Sequence, residues 1–321
     1  NTVQVLANDA EGGTCAQAIR KRQICSDAVR QPVKLATSNG CHCFFCQCWG
    51  EDRAVRIGYE SGDEHQRIPD MAAQLSAILI AGPTASGKSA LAVERARETG
   101  GFIVNADSMQ VYDVLNMLTA RPSPEDLGAV DHHLYGHVKP HEDYSTGRWL
   151  ADVSDLLARP DLIGRTAVFV GGTGLYFRAL TGGVSDMPEV PASVREAWRA
   201  RLAAEGSQAL HPILAEADPI AGARIKPQDG QRIVRALEIF GASGKPISYW
   251  QNQRKPSLVD FDLTARFLLL PDRSLLASRI EQRLRLMVER GALEEVRALM
   301  DLRLNAALPA MKAIGVPEFA A

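Results

Sequence analysis

The octapeptide Gly82-Pro83-Thr84-Ala85-Ser86-Gly87-Lys88-Ser89 stands between the apolar run AILIA and the sequence LAVERA. It fits G-x-x-x-x-G-K-[ST], and its neighbours predict the strand–loop–helix context that turns the pattern into a site. Gly82 and Gly87 let the backbone curl so that several N–H groups point inward, and the start of the following helix adds the positive end of its dipole. The ligand suited to such a loop is a phosphate-type anion. Its candidate binding residues are Gly82, Thr84, Ala85, Ser86, Gly87, Lys88 and Ser89, with the Lys88 ammonium neutralising phosphate oxygens and the Ser89 hydroxyl ligating Mg²⁺.

Around this loop the pattern alternates strand and helix. AILIAG (77–82), FIVNADS (102–108), LYGHV (134–138), TAVFVGG (166–172) and FLLLP (267–271) read as buried strands. SALAVERARE and SLLASRIEQRLRLMVERG read as helices, the second amphipathic and stopped by Gly291. This order predicts an α/β fold, a P-loop NTPase-like parallel sheet with helices on both faces. Between Pro188 and about Pro256 the pattern becomes helical, in VREAWRARLAAEG and DGQRIVRALEIFGASG, so a helical insertion interrupts the alternation. The expected divisions are an extension outside the enzyme at 1–70, core at 71–186, insertion at 187–258 and core again at 259–321.

Phosphate binding alone does not name a reaction. A kinase or NTPase usually places a magnesium-holding carboxylate at the end of another buried strand. The strand TAVFV ends instead in Gly171-Gly172-Thr173-Gly174, and the acid, Asp107, ends the second strand. Ligands of parallel sheets gather at the carboxyl ends of strands, so Asp107 and Thr173 are both expected to face the loop. Asp107 is open to three roles, general base, helix N-cap or magnesium ligand. In Gln231-Arg232-Ile233-Val234-Arg235, Arg232 and Arg235 share a helix face while Ile233, Val234 and Leu237 turn toward a core. The two arginines belong either to an ordinary solvated face or to a clamp on phosphates. His132, His133, His137 and His141 look like a metal stripe, but Gly136 and Pro140 break any helix there.

The 36 basic against 38 acidic side chains exclude a global attraction to nucleic acid or to an anionic membrane, so a polyanion must meet a local patch. With no apolar stretch near the roughly 20 residues of a span and no signal-peptide pattern at the start, the expectation is a soluble, cytoplasmic protein. All six cysteines fall in the first 48 residues, at Cys15, Cys25, Cys41, Cys43, Cys46 and Cys48. The last four are crowded into one run rather than split into two ligand pairs, which argues against a structural zinc site.

Five motifs, GPTASGKS, ADSMQVY, TARP, GGTGLYFRAL and DGQRIVRALE, occur in this order and at intervals that closely resemble the bacterial tRNA dimethylallyltransferases, also called tRNA isopentenyltransferases. The likeness runs from about Ala77 to Ala321. It implies transfer of the dimethylallyl group from dimethylallyl diphosphate to N6 of the adenine immediately 3′ of a tRNA anticodon. The loop would then grip a diphosphate that leaves, with Mg²⁺ near Ser89 and Arg232 from QRIVR assisting. The resemblance makes Asp107 the general base and Thr173 its catalytic neighbour at the target base. It assigns tRNA contact to Asp107, Ser108, Met109, Gln110, Thr173, Arg195, Gln231, Arg232, Ile233, Val234, Arg235 and Lys312, and a monomer as the working state.

The chain departs from the family pattern in places. Met117-Leu118-Thr119-Ala120-Arg121-Pro122 stands for the usual I-G-T-A-K-P, and Ile314-Gly315-Val316 for I-G-Y. Family members also continue past the position of Ala321 into a basic helical tail, and without it weaker tRNA binding is expected. The competing readings are a phosphate-loop kinase of a nucleotide or small metabolite, a transferase that prenylates free adenine nucleotides, and a tRNA-binding protein without catalysis.

Overall fold

Parallel strands covered on both faces need unbroken apolar runs, and the computed structural model of the chain places three such runs at the centre of one sheet. It describes residues 2–6, 56–58, 77–182, 185, 187–253 and 256–320. The strands are β1 (Thr2–Leu6), β2 (Arg56–Gly58), β3 (Ala77–Ala81), β4 (Phe102–Asn105), β5 (His132–His133), β6 (Ala167–Gly171) and β7 (Thr264–Leu270), in the spatial order β2-β1-β7-β3-β6-β4-β5. From β7 to β5 the pairing is parallel, while β1 runs antiparallel to β7 and β2 antiparallel to β1. Two segments of the expected N-terminal extension therefore lie on the sheet edge. The rest of that extension, with all six cysteines, lies outside the described residues.

Every residue of β3, β4 and β6 is buried. On one face Ile78, Ile80, Ile103, Val168 and Val170 pack with Ala92 and Ala96 of helix Lys88–Thr99. The small alanines let that helix lie close to the sheet. On the other face helix Thr146–Leu157 buries Trp149, Leu150, Val153 and Leu156, a spacing that makes one apolar stripe. Trp149 meets Phe169 of β6 edge-on and stacks on Tyr176 of helix Gly174–Gly182 at 4.3 Å between centroids. Each of these large side chains contributes about 1.5–3 kcal/mol through burial.

Register brings three strand ends level. Ala81 pairs with Gly171 across β3 and β6, and Asn105 pairs with Val170 across β4 and β6. The segments that follow these strands thus emerge side by side, with that of β6 in the middle.

One sequence expectation fails at the sheet edge. LYGHV does not form the third strand; β5 is His132–His133, and Val138 makes only an isolated bridge to Tyr112. Leu134 and Gly136 have φ of 62° and 55°, which no strand accommodates. The helix expected before Gly291 forms as Arg273–Glu289, and none of its residues is buried.

The chain divides into two compact units, residues 1–181 with 258–321, and Gly182–Ser257. The second is helical. Helices Ala192–Glu205, Ser207–Ala217, Pro219–Arg224, Gly230–Ser243 and Ile247–Gln251 enclose Leu210, Leu214, Ile233, Leu237 and Ile239. Its buried Asp218 accepts from the backbone N–H groups of Ala221 and Ser248, both at 2.9 Å, and so caps one helix and ties down another. Among the described residues no helix is long and apolar enough to cross a membrane.

Candidate active site at the strand ends

The loop after β3 has the geometry that its glycines predict. Gly87, the N-cap of helix Lys88–Thr99, has φ 92°, and Ala85 has φ 59°. Gly82 is glycine because a Cβ would lie 2.8 Å from Ser86 Oγ and 2.9 Å from the Leu269 carbonyl. Lys88 Nζ donates to the Pro83 carbonyl at 3.1 Å, folding the ammonium over the loop. The Ser86 hydroxyl is buried and has no hydrogen-bond partner among the described residues. Thr84 and Ser89 are exposed.

Asp107 is presented by a turn that Asn105 clamps. The Asn105 amide, fully buried, accepts from the Asp107 N–H at 2.9 Å and donates to the carbonyls of Asp107 at 2.9 Å and Leu134 at 3.0 Å. The Asn105 carbonyl accepts from the Trp149 indole at 2.9 Å. Asp107 Oδ1 accepts from the Met109 N–H at 3.0 Å, closing an Asx turn. Its Oδ2 would lie 3.3 Å from a Cβ placed on Gly172, which would also be 3.8 Å from the Gly82 carbonyl. The carboxylate therefore borders the gap that Gly172 leaves open beside the phosphate loop.

Thr173 joins the two strand ends. Its hydroxyl accepts from the Ser108 N–H at 2.9 Å and donates to Ser108 Oγ at 3.2 Å, and its N–H donates to the Ala106 carbonyl at 3.2 Å. The Gln110 amide donates to the carbonyls of Thr119 and Ala120 at 2.9 and 3.0 Å. The turn that supplies those carbonyls is held by Glu295, which accepts from the N–H groups of Met117 and Leu118 at 2.6 and 3.0 Å.

Electrostatics tie these pieces together. Burial lowers the Lys88 pKa below the ordinary lysine value, the nearby Asp107 carboxylate partly restores it, and Arg283 lowers it further. Burial raises the pKa of Tyr112 to about 12 and pushes that of Tyr176 up as well, with Asp107 adding to the Tyr176 shift. Both phenols stay protonated at neutral pH.

Of the residues singled out by sequence, Gly82, Thr84, Ala85, Ser86, Gly87, Lys88, Ser89, Asp107, Ser108, Met109, Gln110 and Thr173 all lie at these level strand ends. Lys312 is exposed on a 3₁₀ turn, Ala310–Lys312, of the same unit. Arg195, Gln231, Arg232, Ile233, Val234 and Arg235 belong to the helical unit. There Gln231, Arg232 and Arg235 are exposed, Arg195 is half-buried, and the side chains of Ile233 and Val234 are in the core. Arg232 pairs with Asp229 at 3.3 Å, and Arg235 with Glu238 at 3.3 Å. Sequence reasoning missed Asn105, Glu295 and Arg283. Asn105 could have been found from the Asn-x-Asp spacing at a strand end, an Asx-turn signature. The other two act across long sequence separations and leave no local signal.

A family model described as IPP transferase matches residues 110–321, and one described as isopentenyl transferase matches residues 75–135. A tRNA dimethylallyltransferase of Chelativorans sp. (strain BNC1) is 61% identical over 245 residues, which cover 76% of this chain and 84% of that relative. A tRNA dimethylallyltransferase of Rhizobium meliloti (strain 1021) is 54% identical over 254 residues, covering 79% of this chain and 84% of the relative. Among solved structures, a eukaryotic dimethylallyltransferase acting on tRNA superposes with a TM-score of 0.65 at 27% identity, covering 76% of this chain and 62% of its own.

Proposed function

The chain belongs to the tRNA dimethylallyltransferase family, and from that premise we propose how its residues divide the transfer of a dimethylallyl group from dimethylallyl diphosphate to N6 of the adenine 3′-adjacent to a tRNA anticodon. The kinase and the non-catalytic RNA-binding readings gain nothing from these relatives. The end of β6, which would carry the second acid of many kinases, is Gly171-Gly172.

Three demands of the chemistry meet three features of the site. An exocyclic adenine amine shares its lone pair with the ring and is a weak nucleophile, so a base takes its proton as the C–N bond forms. Asp107 is that base. Its carboxylate is pre-oriented through Oδ1 and borders the open gap through Oδ2. The allylic C–O bond breaks only if charge growing on the diphosphate is stabilised, and the loop N–H groups and Lys88 supply this. The adenine has to leave the stacked anticodon loop to reach Asp107. Thr173 holds the Ser108 end of the turn against β6, where the flipped base would arrive.

Mg²⁺ fits the donor set. The Ser89 hydroxyl stands exposed in the first turn of helix Lys88–Thr99 and makes no hydrogen bond among the described residues, and a hard cation takes such an oxygen together with diphosphate oxygens and water. When bound it would add positive charge against the leaving diphosphate. Arg232 and the exposed arginines of the helical unit offer cations to tRNA phosphates.

The observation that carries the reading is the position of the Asp107 carboxylate, near enough to favour the Lys88 ammonium, with a Cβ on Gly172 falling 3.3 Å from Oδ2 and 3.8 Å from the Gly82 carbonyl of the phosphate loop. The test is prenyl transfer to unmodified tRNA, read as the mass of the adenosine beside the anticodon. Asp107→Asn is expected to lower kcat by about 10²–10⁴-fold with tRNA affinity retained. A variant as fast as the parent would remove Asp107 as the base.

A further inference from the structure

Asn105 ends β4 with a fully buried side chain, and nothing of it reaches the gap where a substrate would lie. Its amide is spent on the backbone around Asp107. Oδ1 accepts from the Asp107 N–H at 2.9 Å, while Nδ2 donates to the Asp107 carbonyl at 2.9 Å and to the Leu134 carbonyl at 3.0 Å. The opposite orientation of the amide would set its NH₂ against an N–H and its oxygen against two carbonyls, so the network admits one orientation. One side chain thus holds the peptide groups on both sides of Asp107. That fixes the direction in which the carboxylate leaves the main chain, and the Met109 N–H on Oδ1 then leaves Oδ2 turned to Gly172.

The far anchor of the clamp is itself built for the purpose. Leu134 has φ 62°, a conformation that a Cβ disfavours and that persists only where the surroundings impose it. They do so here, because the chain after Leu134 is laced to the chain after Asp107. The Gly136 N–H donates to the Gln110 carbonyl at 2.9 Å, the Val138 N–H to the Val111 carbonyl at 3.0 Å, and the Asp113 N–H to the Val138 carbonyl at 3.0 Å. On the other side of Asn105, its own carbonyl accepts from the buried Trp149 indole at 2.9 Å.

We propose that Asn105 is a positioning residue for the transfer, which holds the Asp107 carboxylate toward the gap at Gly172 before a substrate arrives. The inference rests on the dimethylallyl-transfer reading, in which the N6 lone pair forms the C–N bond, the allylic C–O electrons leave on the diphosphate and the N6 proton passes to Asp107. Asn105 exchanges no proton. The position calls for donor and acceptor on one short side chain. A serine hydroxyl can still accept from the Asp107 N–H, as in an ST turn, but it releases the two carbonyls.

The experiment is a double-mutant cycle on the full chain, with Asn105→Ala and Asn105→Ser made in the parent and in Asp107→Asn. Single-turnover transfer to unmodified tRNA gives the rate, with tRNA affinity, pyrophosphate inhibition and the thermal midpoint measured beside it. A base misplaced by about 1 Å loses around 10²-fold, so Asn105→Ala should slow the parent by about that factor, with tRNA and pyrophosphate binding within about twofold. Asn105→Ser should recover part of the loss, and it carries the cycle if the alanine variant does not fold. In the Asp107→Asn background the same substitutions should change the rate by less than about threefold, because the group they position is already gone. A side chain that only stabilises the fold would slow both backgrounds by the same factor. Losses that multiply, or an Asn105→Ser enzyme within about twofold of the parent, overturn the role of Asn105 alone. An Asp107→Asn enzyme as fast as its parent, or a parent that transfers nothing, sinks the functional reading and this proposal with it.

Discussion

Gly172→Ala adds one methyl group to the gap between base and phosphate loop, and so tests whether the reaction happens there. The new Cβ would stand 3.3 Å from Asp107 Oδ2 and 3.8 Å from the Gly82 carbonyl. Gly172 is exposed and does not have the left-handed backbone that would strain an alanine. The fold should therefore accept the change within about 0.5 kcal/mol, as at other surface positions. The carboxylate, in contrast, cannot simply turn away, because Oδ1 is held by the Met109 N–H at 3.0 Å. It has to give by a few tenths of an ångström, and on the proposed reading the methyl also takes space from the reacting groups. A misplacement of about 1 Å costs around 10²-fold in rate, so a loss of about 10–100-fold in kcat is expected, with an unchanged thermal midpoint. Gly171→Ala is the contrasting variant. Its Cβ would lie 2.0 Å from the Ala106 carbonyl oxygen and 2.1 Å from its carbon, a backbone clash relieved only by parting β4 from β6. That substitution should destabilise the protein by more than about 4 kcal/mol. Single-turnover transfer to tRNA and thermal unfolding separate the two effects. A Gly172→Ala enzyme with parental kcat would show that the substrates do not meet in this gap, and the site assignment would fall with it.

Two further outcomes follow from groups outside the gap. Glu295→Ala leaves the N–H groups of Met117 and Leu118 without their carboxylate, and at about 1–2 kcal/mol for each charge-assisted bond at a half-buried site it should cost about 2–4 kcal/mol in urea unfolding. A cost under about 0.5 kcal/mol would mean that water replaces the carboxylate. Tyr112 has its pKa raised from 10.0 to about 12, chiefly by burial and then by Asp143, so the folded state holds the phenolic proton more tightly than the unfolded state. Its contribution is fully present below pH 10 and is lost as pH rises toward about 12. Tyr112→Phe should accordingly flatten the decline of stability across that window, and an identical slope in parent and variant would contradict the shift.

What could be read from the sequence and what could not divides by the range of the interaction. AILIA, FIVN and AVFVG are apolar at every position because both faces of a central parallel strand are covered, so composition alone marks them. Asp107 and Thr173 follow from the same logic, since a polar residue that ends such a strand sits where parallel sheets place ligands. LYGHV misled because its composition suits a strand while its backbone does not. Gly136 has φ 55°, and a Cβ there would lie 1.5 Å from Arg121 Nη1, so the segment is shaped by an arginine that approaches from another turn.

Arg283 and Glu295 belong to a different category. Helix Arg273–Glu289 carries Arg273, Arg279, Arg283 and Arg285, and nothing in their spacing says which one turns toward a loop far earlier in the chain. Glu294 and Glu295 are equivalent in sequence, yet Glu294 pairs with Arg297 on the surface while Glu295 caps the turn beneath Gln110. On the proposed reading the motif supplies the backbone groups that would meet the diphosphate, and the tertiary fold decides which charges stand opposite them. A phosphate loop grips triphosphates in one protein and a leaving diphosphate in another with the same local sequence, so the reaction has to be set by those opposing groups. Here they are one carboxylate across Gly172 and one guanidinium on Thr84. On the proposed reading the carboxylate takes the proton of the nucleophile while the cations beside the loop neutralise the leaving diphosphate.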